Sequence, residues 1–243
     1  MKQIALTFMA LSFPVLLFAQ DIFDIAANGS PAEVRAALAA VADVNARDAR
    51  GETALMRAAS FSNSPQVIAV LVKAGARVQD RNRHGDTALN LAAGSNAIPG
   101  VVAALIDAGS DVNARDNEGE TPLMAAATNT NPAVLLLLLT KGARVDERNA
   151  EGISPLMFAA QLNPEHQATV LLLRAGARVN EKDPAGRTAL MFAARFNPNP
   201  RVLEALLAAG ADRALTSNEG KTAFDYAAVN PDMKGMRQRL KAH

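Results

Sequence analysis

The sequence has no cysteine, no tryptophan and a single tyrosine among its 243 residues. The lack of cysteine excludes disulfide bonds, thiolate metal sites, a cysteine nucleophile and a lipid-modified cysteine anchor. An excess of charge of one sign is also missing, since 25 Lys and Arg residues face 24 Asp and Glu residues. Nucleic-acid-binding proteins carry a basic excess, so we expect no nucleic-acid partner and no general attraction to anionic membranes.

The chain is rich in apolar residues, which make up 49% of it, while aromatics make up only 4%. Such a composition favours closely packed helices over a sheet sandwich. Six glycines recur at intervals of 34, 34, 33, 34 and 34 residues, namely Gly51, Gly85, Gly119, Gly152, Gly186 and Gly220. Each precedes a near-copy of one phrase, as in GETALMRAA, GETPLMAAA and GRTALMFAA. The sequence is therefore built from internal repeats.

Each repeat predicts two helices. Thr or Ser, two residues after the glycine, is a typical N-cap and predicts the start of a short first helix. An apolar second helix follows, and it ends at Gly75, Gly109, Gly142, Gly176 or Gly210. Glycine accepts the left-handed conformation that closes a helix. A polar segment such as VNARDNEG then leads to the next repeat as a tight turn or hairpin.

This order of signals resembles the ankyrin repeat. The resemblance implies an all-α fold, an ankyrin-repeat solenoid of stacked helix-turn-helix units with short β-hairpin or loop fingers. We expect this domain to span residues 20–243, with about six repeats and a truncated C-terminal capping repeat. Stacking should bury a continuous core, in which we place second-helix leucines such as Leu137.

The repeats depart from the ankyrin pattern where that family usually has histidine in the opening phrase. The position holds Met56, Asn90, Met124, Met157, Met191 and Asp225. We expect the family's Thr–His hydrogen bond to be absent from every unit, with methionine packing in its place. The carboxylates of the fingers are interpreted as hydrogen-bonding groups at equivalent positions: Asp48, Asp80, Asp116, Asp146 and Asp183. The final segment, MKGMRQRLKAH, is expected to form a charged capping helix.

Residues 1–19 form a separate segment with the pattern of a secretory signal peptide. Lys2 is its only charge, an apolar stretch runs from Ile4 to Ala19, and Asp21 follows directly. We predict cleavage after Ala19 and a periplasmic or secreted protein. The alternative is an uncleaved anchor, although a spanning helix needs about 20 apolar residues and this run contains Pro14. After cleavage we expect no stable membrane insertion.

No motif in the sequence predicts catalysis. The three histidines, His84, His166 and His243, lack the spacing of metal ligands. Phosphate-binding loops, nucleophile elbows and metalloprotease motifs are missing as well. We therefore expect no enzyme, no catalytic, metal or cofactor-binding residues, and no small-molecule substrate.

The resemblance implies a protein-binding surface on the concave face, formed by the first helices and the fingers. We predict that the first helices expose nine contact residues there: Arg57, Phe61, Leu91, Phe158, Leu162, Phe192, Arg195, Phe196 and Tyr226. Aromatic and arginine side chains are frequent hot spots of protein interfaces. The alternative is that the rings fold back between the helix layers as core.

The sequence thus predicts a non-enzymatic protein–protein interaction module that acts in the periplasm or outside the cell. It would bind a protein partner through the concave face and the finger tips. Two alternatives stay open, a structural protein that assembles with itself and a secreted effector that binds a host protein. Fold alone does not distinguish between them.

Overall fold

The computed structural model describes residues 22–40 and 43–241. The expected signal segment and His243 lie outside the described residues. Within them the chain is helical and has no strand. The helices are α1 (Ile22–Asn28), α2 (Pro31–Ala40), α3 (Ala54–Phe61), α4 (Pro65–Lys73), α5 (Ala88–Ser95), α6 (Pro99–Asp107), α7 (Pro122–Thr128), α8 (Pro132–Thr140), α9 (Pro155–Leu162), α10 (His166–Arg174), α11 (Ala189–Phe196), α12 (Pro200–Ala208) and α13 (Ala223–Tyr226).

The helices form two layers. Each odd-numbered helix packs on the next odd-numbered one, and each even-numbered helix packs on its even-numbered neighbours. Alanine pairs such as Ala58–Ala59 are fully buried and let the helices approach closely. The all-α fold of stacked helix pairs is therefore confirmed. The fingers are the segments that join one helix pair to the next, and in the described chain they are turns and not β-hairpins. None of the helices placed by the structure has the length and apolar character needed to cross a membrane.

The starts of the odd-numbered helices correct one expectation. In α5 the Asn90 side chain accepts hydrogen bonds from the Thr87 backbone N–H (3.2 Å) and hydroxyl (2.7 Å). Asp225 does the same for Thr222, at 2.8 and 2.7 Å. The Thr–His bond is thus absent, as expected, but Asn90 and Asp225 replace histidine as the threonine's partner, where we expected packing alone. At Met56 the thioether sulfur accepts a weak bond from the Thr53 N–H at 3.4 Å.

A series of buried asparagines joins successive repeats. The side chain of Asn163 is fully buried, and its Nδ2 donates to the carbonyls of Ala127 (2.9 Å) and Asn129 (3.0 Å) in the preceding repeat. Its Oδ1 accepts from the Glu165 N–H. Equivalent bonds to the preceding repeat are made by Asn96, Asn129, Asn197 and Asn230. Each asparagine satisfies buried carbonyls that the end of a first helix leaves free.

The fingers are tight turns closed by one polar side chain each. Asp48 Oδ1 accepts from the backbone N–H groups of Arg50 and Glu52, and Gly51 takes the left-handed conformation with φ of 75°. The structurally equivalent residues are Asn82, Asp116, Asn149 and Asp183. The predicted equivalence of Asp80 and Asp146 is wrong, because these two carboxylates form ion pairs with Arg47 and Arg178.

Arginine and lysine side chains form hydrogen bonds from each finger to the next. Arg47 donates to the carbonyl of Arg81, Arg81 to Arg115, and Arg115 to Arg148. Arg148 donates to the carbonyl of Lys182, and the Lys182 side chain donates to the carbonyl of Thr216. These bonds run in one direction along the stack and hold the fingers side by side.

The C-terminal end differs from the predicted capping helix. After α13 the described chain forms short 3-10 turns at Ala227–Val229, Pro231–Met233 and Arg237–Leu240. Pro231 and Gly235 interrupt the segment, and both residue types disfavour a continuous helix. Met233, Met236 and Leu240 are nevertheless buried against the core, so the segment does cover the last repeat.

Candidate protein-binding face

The exposed sides of the odd-numbered helices and the bases of the fingers form one surface, which we call the inner face. All nine residues predicted as partner contacts lie on these helices. Helix α3 carries Arg57 and Phe61, α5 carries Leu91, and α9 carries Phe158 and Leu162. Phe192, Arg195 and Phe196 lie on α11, and Tyr226 is the last residue of α13.

Their exposure divides them into three groups. Phe61, Leu162 and Phe196 are 53%, 54% and 44% exposed, a high share for large apolar side chains. Arg195 is also exposed, while Arg57, Leu91 and Phe158 are half-buried. The last two, Phe192 and Tyr226, are buried and are considered next.

The prediction that Phe192 and Tyr226 are exposed is wrong, because they are only 3% and 4% exposed. Phe192 packs 6.4 Å from the ring of Phe196, and the guanidinium of Arg187 lies 4.6 Å from its centroid. The Tyr226 hydroxyl donates to Ser217 Oγ at 3.2 Å, and Arg195 lies over its ring. For these two rings the core alternative holds.

Arginines lie on the two exposed rings of the inner face. Arg57 lies 4.8 Å from the centroid of Phe61, and Arg195 lies 5.0 Å from that of Phe196. A guanidinium over an aromatic face gains cation–π energy and keeps its outer edge free for carboxylates or carbonyls. Each pair therefore presents an apolar and a cationic surface together.

A cavity of about 360 Å³ on the inner face is lined by residues of three fingers and of helices α9 and α11. Phe158, Leu162 and Phe196 are among its apolar lining residues. Glu118, Glu120 and Glu151, from two of the fingers, line it as well, and we call these three carboxylates the acidic rim. Fingers and first helices thus enclose one hollow, so a bound group would contact both.

The acidic rim was missed by sequence reasoning, which treated the finger carboxylates as turn-forming groups. A signal for it exists in the residue directly after each finger glycine. Down the stack that position reads Glu52, Asp86, Glu120, Ile153, Arg187 and Lys221. This position is therefore acidic in the N-terminal repeats and basic in the C-terminal repeats, and of the acidic rim it holds Glu120.

Two carboxyl groups of the fingers have raised pKa values. Partial burial raises the pKa of Glu120 above its ordinary value of 4.5, and the nearby carboxylates of Asp116, Glu118 and Asp86 raise it further, against a hydrogen bond from Asn149. Burial also raises the pKa of Asp86, against a hydrogen bond from Asn82. Burial is the main cause of both shifts, and repulsion between neighbouring carboxylates adds to it.

Among residues 22–40 and 43–241, no three His, Cys, Asp or Glu side chains are arranged to hold a metal ion. What the inner face offers is a shaped surface with exposed apolar groups and separated charges. A solenoid of stacked helix pairs with such a face belongs to the class of repeat proteins that present one extended binding surface.

The chain belongs to the ankyrin-repeat family. The family description "Ankyrin repeats (3 copies)" matches residues 22–116, 97–183 and 156–238, which together span most of the chain. No curated protein matches the chain at significant similarity.

Solved ankyrin domains share the fold. The human ASB11 ankyrin repeat domain superposes with a TM-score of 0.80 at 22% identity, covering 91% of this chain and 98% of that domain. The ankyrin repeat domain of Bcl-3, a member of the IkappaB protein family, gives a TM-score of 0.68 at 28% identity. That match covers 89% of this chain and 97% of the Bcl-3 domain. Ankyrin repeats are protein–protein interaction modules, and the family is one of non-enzymatic scaffolds.

Proposed function

We propose that this protein binds a protein partner through its inner face, in the periplasm or outside the cell, without catalysing a reaction. The observation that carries the proposal is the exposure of Leu162 and Phe196 beside the inner cavity. Large apolar side chains that border a hollow and are rimmed by charge are typical of interaction sites.

The energetics support contact with a folded or extended polypeptide. Covering an exposed Leu and an exposed Phe stabilises a complex by roughly 25 cal/mol per Å² of apolar surface removed from water. The charges around them add orientation and partner choice more than affinity. The face therefore combines an apolar anchor point with a polar surround, as interfaces do.

The proposed location rests on the first 19 residues. Their single positive charge, apolar stretch and following acidic residue are typical of export signals. Export would place the repeat domain in an oxidising compartment, where a chain without cysteine cannot form wrong disulfides.

The test is affinity capture with the purified protein, applied separately to the periplasmic extract and the culture medium of its source cells. We expect wild type to retain a protein that the double variant Leu162→Ser with Phe196→Ser does not retain. Because both side chains are exposed, that variant should keep the wild-type melting curve. The native protein in those fractions should begin at Gln20.

The matched control is Leu136→Ser, which removes a 47% exposed leucine from α8 in the other helix layer. It should retain the partner like wild type. Equal capture by wild type and the double variant would contradict the inner face as the binding surface. A native protein found only in the cytoplasm would contradict the proposed location.

A further inference from the structure

We infer that the segment recognised by the inner face is both cationic and apolar: a Lys or Arg side chain against the acidic rim, next to a large apolar side chain in the inner cavity. This inference rests on the proposed function and specifies the chemistry of the partner.

The acidic rim has no cation of its own in the described chain. None of Glu118, Glu120 and Glu151 forms an ion pair with a described residue, whereas four other carboxylates of the fingers do, namely Asp80, Asp146, Glu147 and Glu181. The cavity contains one cation, Arg187, but its guanidinium already binds the carboxylate of Asp183 at 2.6 Å. Three negative charges therefore face the cavity with one pre-paired positive charge.

The raised pKa of Glu120 agrees with this geometry, because burial is its main cause and repulsion from Asp116, Glu118 and Asp86 adds to it. A partner cation placed among them would relieve that repulsion. The gain would be larger than at an isolated surface carboxylate, since one cation would interact with several negative charges at once.

The same cavity also calls for an apolar group. Phe158, Leu162 and Phe196 line it together with the acidic rim. A volume of about 360 Å³ lies at the small end of ligand pockets. It suits one large side chain together with part of the backbone that carries it.

The charge order along the stack fixes the direction of the segment. Asp86 and Glu120 lie toward the N-terminal repeats, and Arg187, Arg195 and Lys221 lie toward the C-terminal ones. Arg187 and Lys221 are paired with Asp183 and Glu219, whereas the exposed Arg195 forms no ion pair with a described residue and would repel a basic side chain of the partner. The cation of the segment should therefore lie on the α7 side of the cavity, and the apolar side chain on the α11 side.

An unbiased peptide selection tests the inference. A phage library of random 12-residue peptides is selected on the purified protein, and the enriched sequences are read. We expect enrichment of Lys or Arg within a few residues of Leu, Met, Phe or Trp. Enriched peptides without a cationic excess over the starting library would overturn the inference.

The acidic rim is then tested directly with the best enriched peptide, labelled for fluorescence anisotropy. The triple variant Glu118→Gln, Glu120→Gln and Glu151→Gln should weaken binding about tenfold or more, since it removes the charges that the cation contacts. The control, Asp107→Asn with Glu165→Gln, neutralises two exposed carboxylates outside the acidic rim, one at the end of α6 and one directly before α10, and should leave binding unchanged. Equal weakening in both variants would overturn the assignment to the rim.

Salt provides a measurement that needs no variant. Peptide binding to wild type should weaken roughly fivefold between low and high ionic strength, because exposed charges are screened. Salt-independent binding would overturn the inferred contact between a partner cation and the acidic rim.

The outcomes also separate this inference from the proposed function. If the enriched peptides lack cations but do not bind the Leu162→Ser and Phe196→Ser variant, this inference fails while the proposed function stands. If no peptide is enriched, this inference fails, and capture of a native protein decides the proposed function separately.

Discussion

At the scale of single residues, two phenylalanines one helical turn apart differ in role. Phe192 and Phe196 lie on the same side of α11, and their rings are 6.4 Å apart. Phe192 has Arg187 over its ring and is 3% exposed, whereas Phe196 has Arg195 over its ring and is 44% exposed. A four-residue spacing brings such side chains together on a helix but does not determine which of them the tertiary structure covers.

Single truncations of the two rings should separate core from contact surface. Phe192→Ala is expected to lower the free energy of unfolding by about 3 kcal/mol or more, as for buried phenylalanines. Phe196→Ala should cost less than about 1 kcal/mol, since its ring is 44% exposed. Urea unfolding followed by circular dichroism measures both. Similar losses for both variants would contradict the difference in burial.

At the scale of helices, α8 shows that neighbouring helices decide which side of a helix faces the core. Its sequence, PAVLLLLLT, is apolar at every position from Val134 to Leu139 and carries no amphipathic pattern. The stack buries Val134, Leu135 and Leu138 completely and leaves Leu136 exposed. Leu137, which we expected in the core, is only partly buried and packs at its edge.

Two leucines of α8 provide a matched test of that orientation. Leu138→Ala should destabilise the protein by about 2–5 kcal/mol, because it opens a cavity in the continuous core. Leu136→Ala makes the same chemical change on the exposed side and should stay within about 1 kcal/mol of wild type. Thermal and urea unfolding give the comparison. A larger loss at Leu136 than at Leu138 would mean that the helix is rotated.

At the scale of the whole molecule, the inner face carries a charge gradient that no single repeat has. Glu52 is paired with Arg57 at 3.6 Å, and Lys221 with Glu219 at 2.7 Å. The carboxylates between these ends, Asp86 and Glu120, are unpaired in the described chain and have raised pKa values. The gradient thus concentrates its unbalanced charge in the central repeats.

The raised pKa of Glu120 predicts that stability depends on pH. Because the folded state raises the pKa of Glu120 above 4.5, it holds the proton more tightly than the unfolded chain, and ionisation above that pH costs stability. Glu120→Gln should therefore stabilise the protein at pH 7. The gain should be at most about 0.5 kcal/mol, since the half-exposed group is screened by solvent.

The gain should vanish well below pH 4.5, where the carboxyl group is protonated in both the folded and the unfolded state. Urea unfolding at both pH values measures the difference. Glu165→Gln, a neutralisation outside the acidic rim, is the control and should change little. An equal gain at acid and neutral pH would rule out ionisation of Glu120 as its cause.

Sequence alone was sufficient for the repeat, its two helices and the family. Glycines at fixed spacing, N-cap residues and alanine pairs act locally, so their structural effect can be read without knowing the neighbours. The same reading found Leu162, Arg195 and Phe196, which the structure does leave exposed on the inner face.

Only the tertiary structure decided what depends on contacts between repeats. It buried Phe192 and Tyr226, determined which leucines of α8 are buried, and brought Glu118, Glu120 and Glu151 from two fingers into the lining of one cavity with Leu162. It also joined the repeats through buried asparagines such as Asn163. These residues lie about one repeat apart in sequence, and their burial and pairing are fixed by how one unit stacks on the next.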